Sequence, residues 1–144
     1  MAGKKRTWAE KMATGAPHVE VLARPFAGAP AGAKLLVSSP MEVDAYLSAN
    51  VPSGTTTTVR ALREALAKAH GADTTCPMST SIFVRIVAEN AWDLIEGGTP
   101  ITEVTPFWRV VDPGSPLAKK LRSGSDWIAH QREAEARSPS ILTA

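Results

Sequence analysis

The chain has 144 residues, 44% of them apolar and 21% charged, with a formal net charge of +2. That suits one globular domain with a small N-terminal appendage; the weak positive balance excludes general polyelectrolyte binding but permits a local basic face. One cysteine, Cys76, excludes an internal disulfide, and His18, His70 and His130 give it no zinc spacing. No apolar run approaches the roughly 20 residues of a membrane span, and the basic start MAGKKRTWAEK has no apolar core of a secretory signal. The expectation is therefore a cytoplasmic protein with no metal, no cofactor and no membrane partner.

Taken in order, residues 1–5 predict no ordered element. Thr7 is placed to cap a short helix over Trp8–Thr14, stopped by Gly15. The small residues and prolines of Phe26–Ala33 predict irregular chain, and "KLLV" from Lys34 a short buried strand. Gly28, Gly32 and Lys34 do not make a phosphate loop, because Ala33 parts the glycine from the lysine and no hydroxyl follows. "SPMEVDAYL" predicts a helix with Ser39 at the N-cap, Pro40 at the first position and Glu42 completing a capping box, ending near Asn50.

"VPSGTTTT" breaks the pattern, and Thr57 or Thr58 then caps a helix whose inner face carries Val59, Leu62, Leu66 and Ala69, with Gly71 as its stop. "ADTTCPMST" reads as a linker. A longer helix over Ile82–Ile95 follows, with Phe83, Ile86, Val87, Asn90, Ala91 and Leu94 inward and Arg85, Glu89 and Asp93 elsewhere. Two helices joined by a small polar turn form the skeleton of a helix-turn-helix. "TPFWRVVD" then predicts a loop and a short buried strand. Ser115 and Pro116 start a further helix closed by Gly124, Ser125 caps "DWIAHQREAEAR", and residues 138–144 are expected to be a flexible tail.

The segment from Val51 to about Glu135, three-fifths of the chain, resembles the C-terminal domain of O6-alkylguanine-DNA alkyltransferases and the alkyltransferase-like proteins. "VPSGTTTTVRALREALA" looks like the family's Val-Pro-x-Gly lead into a winged helix-turn-helix. "FVRIVAENA" is similar to its recognition helix, with Arg85 at the arginine finger. "PFWRVV" stands where the family has Pro-Cys-His-Arg-Val-Val, and "LAKKLRSGSDWIAHQREAE" is similar to the closing segment. The resemblance implies a mainly α fold with a few short strands, residues 1–50 packed as an extension on a winged helix-turn-helix over residues 51–137.

The departures bear on chemistry. Phe107 replaces the family's acceptor cysteine and Trp108 its histidine; a phenyl ring offers no nucleophile and an indole is no general base near neutral pH. Val59 stands where the family has a tyrosine, and the span from Arg85 to Pro106 is longer than usual. The resemblance therefore implies a monomeric, non-enzymatic binder of double-stranded DNA, alkylated or mismatched duplexes included. The alternative is a protein–protein interaction module on a degenerate alkyltransferase fold, its aromatic surface meeting a protein partner. Pro106, Phe107, Trp108 and Arg109 mark the degenerate active site, where the rings either plug the core or offer a surface to an extruded base. Arg109 fits a structural tie to a carbonyl or carboxylate.

The candidate DNA contacts are Arg85, Arg60, Arg63, Thr58, Ser81, Lys119 and Lys120, together with Arg122 and backbone amides at the start of the Ile82 helix. Roughly four phosphate contacts give a log–log salt slope of about −3 to −4. Arg85 has a plainer reading as a solvated partner of Glu89 one turn on. Cys76, before Pro77 at a helix start, is read as structural.

Overall fold

The computed structural model describes residues 6–137, so the expectations for residues 1–5 and 138–144 lie outside the described residues. The chain is mainly helical with a few short strands, ordered α1 (Trp8–Met12), β1 (His18–Val21), β2 (Lys34–Val37), α2 (Pro40–Asn50), α3 (Val59–Ala69), β3 (Thr74–Thr75), α4 (Pro77–Glu96), α5 (Pro116–Lys120) and α6 (Gly124–Arg137). Two 3₁₀ turns, Ile101–Glu103 and Phe107–Arg109, lie between α4 and α5.

Local chemistry sets several helix starts. Thr7 accepts from the Glu10 amide and Glu10 returns the bond to the Thr7 amide, a full capping box for α1. Ser39 caps α2 by accepting from the Glu42 amide, but the Glu42 carboxylate does not reach back as expected. It is taken instead by the Ser38 hydroxyl at 2.6 Å and by the His70 ring, which ties the start of α2 to the end of α3. Thr58, rather than Thr57, caps α3 through the Ala61 amide. Gly71 follows the α3 C-cap at φ 64, a left-handed turn that an L side chain adopts at a cost.

The strand Lys34–Val37 is central in a small sheet. It pairs antiparallel with β1 and parallel with β3, in the order β1-β2-β3. Leu35 and Leu36 are buried, while all four residues of β1 are exposed. The segment expected as a linker before α4 supplies β3, and α4 starts at Pro77, well ahead of the expected Ile82. A proline at the first helical position loses no bond there, and the Thr80 amide already donates to the Cys76 carbonyl. The expected free amides at Ile82 are thus inside the helix.

The inner side of α4 also differs. Val84, Ile86, Val87, Ala88 and Ala91 are buried as an apolar stripe, Leu94 is exposed, and Glu89 is 1% exposed. Arg122 makes that burial tolerable. Its Nε donates to Glu89 Oε1 at 2.9 Å, its amide to Oε2 and its Nη2 to the Glu89 carbonyl, with Asp93 and Glu96 on the same guanidinium. Burial alone would lower the Arg122 pKa, but the Asp93 and Glu89 carboxylates hold it above the ordinary value.

The core joins α2, α3, α4 and α6 to the Phe107–Arg109 turn. Phe107 and Trp108 are 0% and 1% exposed. Phe107 stacks on Trp127 at 5.6 Å and 14°, and Trp108 and Trp92 meet Trp127 edge-on at 5.7 and 5.2 Å. Such aromatic geometry adds about 0.5–1.5 kcal/mol per pair beyond area burial. The expected strand at this point is a 3₁₀ turn followed by bent chain. Valines and aromatics favour extended chain only where a partner strand exists; here α6 and α4 pack on the segment instead.

Candidate functional site, a cleft between the long helix and the closing helices

Three hydrogen-bonded ties fix the Phe107–Arg109 turn. Arg109 forms a fork with Glu135, Nε to Oε1 at 2.9 Å and Nη2 to Oε2 at 2.6 Å, and its Nη1 donates to the Val51 carbonyl. Arg132 donates to the carbonyls of Trp108 and Val111 at 2.6 and 2.9 Å. The Thr57 amide donates to the Arg109 carbonyl at 2.7 Å. Burial alone would push the Glu135 carboxyl up, but the Arg109 guanidinium holds it below the ordinary carboxylate value. Burial lowers the Arg132 pKa, partly offset by the Asp112 carboxylate.

Beyond this turn lies an open cleft of about 720 Å³. Val110, Val111, Pro116 and Leu117 line one side, and Thr56–Val59 lead into α3 on another. Ser81, Ile82 and Arg85 come from α4, with Lys120 of α5 and Arg132 of α6 completing the lining. Three cations and one carboxylate, Asp112, therefore share a mostly aliphatic hollow. Such a surface suits an extended anion with flat apolar parts.

Of the expected contacts, the fold brings Thr58, Ser81, Arg85 and Lys120 to this cleft. Lys119 is exposed on α5 outside its lining. Arg60 and Arg63 line a different depression with Glu64, Lys68 and Asp73, and Arg63 is occupied by the Thr75 carbonyl at 3.0 Å. Arg122 serves the buried Glu89. Pro106, Phe107 and Trp108 are buried and Arg109 is half-buried, and none lines the cleft. The rings take the place of core, and the two buried valines after them form the floor beneath the hollow. Cys76 is half-buried at the α4 N-cap, also outside the cleft.

Arg85 is not paired with Glu89, whose carboxylate belongs to Arg122. Its Nε is buried with no hydrogen-bond partner among the described residues, and its guanidinium sits 5.7 Å over the Trp8 ring of α1. Sequence reasoning missed Arg132, Trp8, Asp112 and Ser115 at or beside this cleft. Arg132 and Trp8 carried no local signal for the cleft, because the carbonyl that Arg132 ties and the arginine that Trp8 meets are 21 and 77 residues away.

No family model, curated protein or solved structure matches this chain. No helix among the described residues is long and apolar enough to cross a membrane.

Proposed function

We propose that the protein is a non-catalytic, cytoplasmic binder of double-stranded DNA on an alkyltransferase-type winged helix-turn-helix. In this reading α3 and α4 form the helix pair, residues 6–50 are an extension packed on it, and the cleft meets the duplex. One observation carries the reading: Arg85 stands at the cleft with no carboxylate partner among the described residues, beside Lys120, Arg132 and the Thr58 and Ser81 hydroxyls. A guanidinium held at a rim without neutralisation is ready for a phosphate or a base edge.

Alkyl transfer has no place in this proposal. Phe107 and Trp108 bring no nucleophile or base, and they are buried against Trp127. A base extruded into the cleft would not reach the two rings, which lie outside its lining, and would meet the partly exposed Leu117 and Ile82 side chains.

The rival reading, a protein-interaction module, draws on the exposed Met78 and Ile82 of α4, 68% and 57% accessible. The acidic residues of α4 lend it less weight, since Glu89, Asp93 and Glu96 are gathered on Arg122. A titration of plain, mismatched and O6-alkylated duplexes between about 50 and 200 mM salt separates the two. Binding whose logarithm falls with a slope of about −3 to −4 supports the DNA reading. No saturable binding to any duplex removes it.

A further inference from the structure

We propose that Trp8, in the N-terminal helix, is a positioning residue for Arg85. It holds the guanidinium at the cleft by stacking, without cancelling its charge. The role rests on the duplex-binding reading above.

Four observations carry it. The Arg85 guanidinium carbon lies 5.7 Å from the Trp8 ring centroid, within cation–π range. The Arg85 Nε is out of solvent and has no oxygen or nitrogen acceptor among the described residues. A guanidinium beside an indole face finds in the π cloud a weak acceptor for its donors. Trp8 is itself anchored: it is half-buried against the core, with the Thr7–Glu10 capping box on one side and buried Met12 on the other. Lys11 also places its Nζ 4.2 Å from the same ring centroid, so the indole is a seat for cations from both α1 and α4.

The choice of partner matters for function. A free arginine loses rotamer entropy when a ligand fixes it. Holding the side chain beforehand removes part of that cost from binding. A carboxylate would hold it as well, but its attraction would have to be broken or shared before a phosphate could bind. An aromatic face restricts the side chain and leaves its full charge. On this reading α1 belongs to the binding device and is more than a lid on the core.

The test uses the full chain and five proteins: wild type, Trp8→Phe, Trp8→Leu, Arg85→Ala and the Trp8→Leu/Arg85→Ala double variant. Duplex affinity is read by fluorescence anisotropy at low salt, folding by circular dichroism, and the Arg85 Nε–H resonance by NMR without DNA. Trp8→Leu should weaken binding about five-fold, the equivalent of a partly buried cation–π contact. Trp8→Phe should stay within about two-fold, since a phenyl ring keeps the interaction in weaker form. In the Arg85→Ala background, Trp8→Leu should change nothing further. The wild-type Nε–H resonance should be ring-shifted and should relax in Trp8→Leu.

An equal loss from Trp8→Leu with or without Arg85 overturns the role, because that is the mark of general destabilisation. Should Trp8→Leu fail to fold, a wild-type Nε–H at its random-coil position overturns the clamp without any variant. A wild-type chain that binds no duplex, yet shows the shifted resonance, defeats the DNA reading and with it the function assigned to the contact. Binding that needs Arg85, with Trp8→Leu indistinguishable from wild type, defeats the clamp alone.

Discussion

Glu135→Gln isolates the tie that fixes the Phe107–Arg109 turn. In the native protein the carboxylate takes two bonds from Arg109, and the two side chains are 14% and 11% exposed. Gln keeps the volume and one acceptor, so no cavity opens, but the guanidinium loses its counter-charge and is left with the amide oxygen, the Val51 carbonyl and the Trp108 ring at 5.4 Å. Breaking a buried pair from one side costs about 3–5 kcal/mol; partial exposure and the retained acceptor place this one at about 3. For a chain of this size that lowers Tm by about 6–12 °C. Urea unfolding measures the energy directly. The pH dependence gives a second reading. The folded carboxyl sits below its ordinary value of 4.5, so its contribution is complete above that value and fades as pH falls through the lower folded pKa. Wild type should therefore lose its advantage over Glu135→Gln on acidification below about pH 4.5. A difference under about 1 kcal/mol at neutral pH, the value of an exposed pair, would refute this account of the turn.

Other substitutions probe the remaining parts. Arg122→Ala strands the Glu89 carboxylate in the core and should cost about 3 kcal/mol or more by denaturant unfolding, with Arg122→Ala/Glu89→Leu recovering much of it. Phe107→Ala leaves a hole against Trp127 and should cost about 3–5 kcal/mol by the same measurement. Lys120→Ala should make the duplex-binding salt slope shallower by about 1 while leaving Tm unchanged. Ile82→Glu, at an exposed site on the cleft rim, should weaken duplex binding by anisotropy without loss of stability.

Caps were the most legible features. Ser39-Pro40, Thr7 and Ser115-Pro116 each act within one helical turn, and α1, α2 and α5 begin where those residues stand. What depends on distant partners was not legible. β1 and β3 are four and two residues long and exist through pairing with β2. Glu89 reads as an outer residue of its helix until Arg122, 33 positions on, is set against it. Phe107-Trp108-Arg109-Val110-Val111 has the composition of a strand, and packing against α6 turns it into a 3₁₀ turn. The candidate site was half legible for the same reason. Arg85 stood out by its place in a motif, whereas the ring behind it lies 77 residues earlier in the chain.

The most direct measurement of the DNA-binding claim is the affinity of wild type and Arg85→Ala for one duplex across a salt series. The account predicts that Arg85→Ala binds at least about five-fold more weakly at low salt, with a slope shallower by about 1. Coincident curves for the two proteins would contradict it.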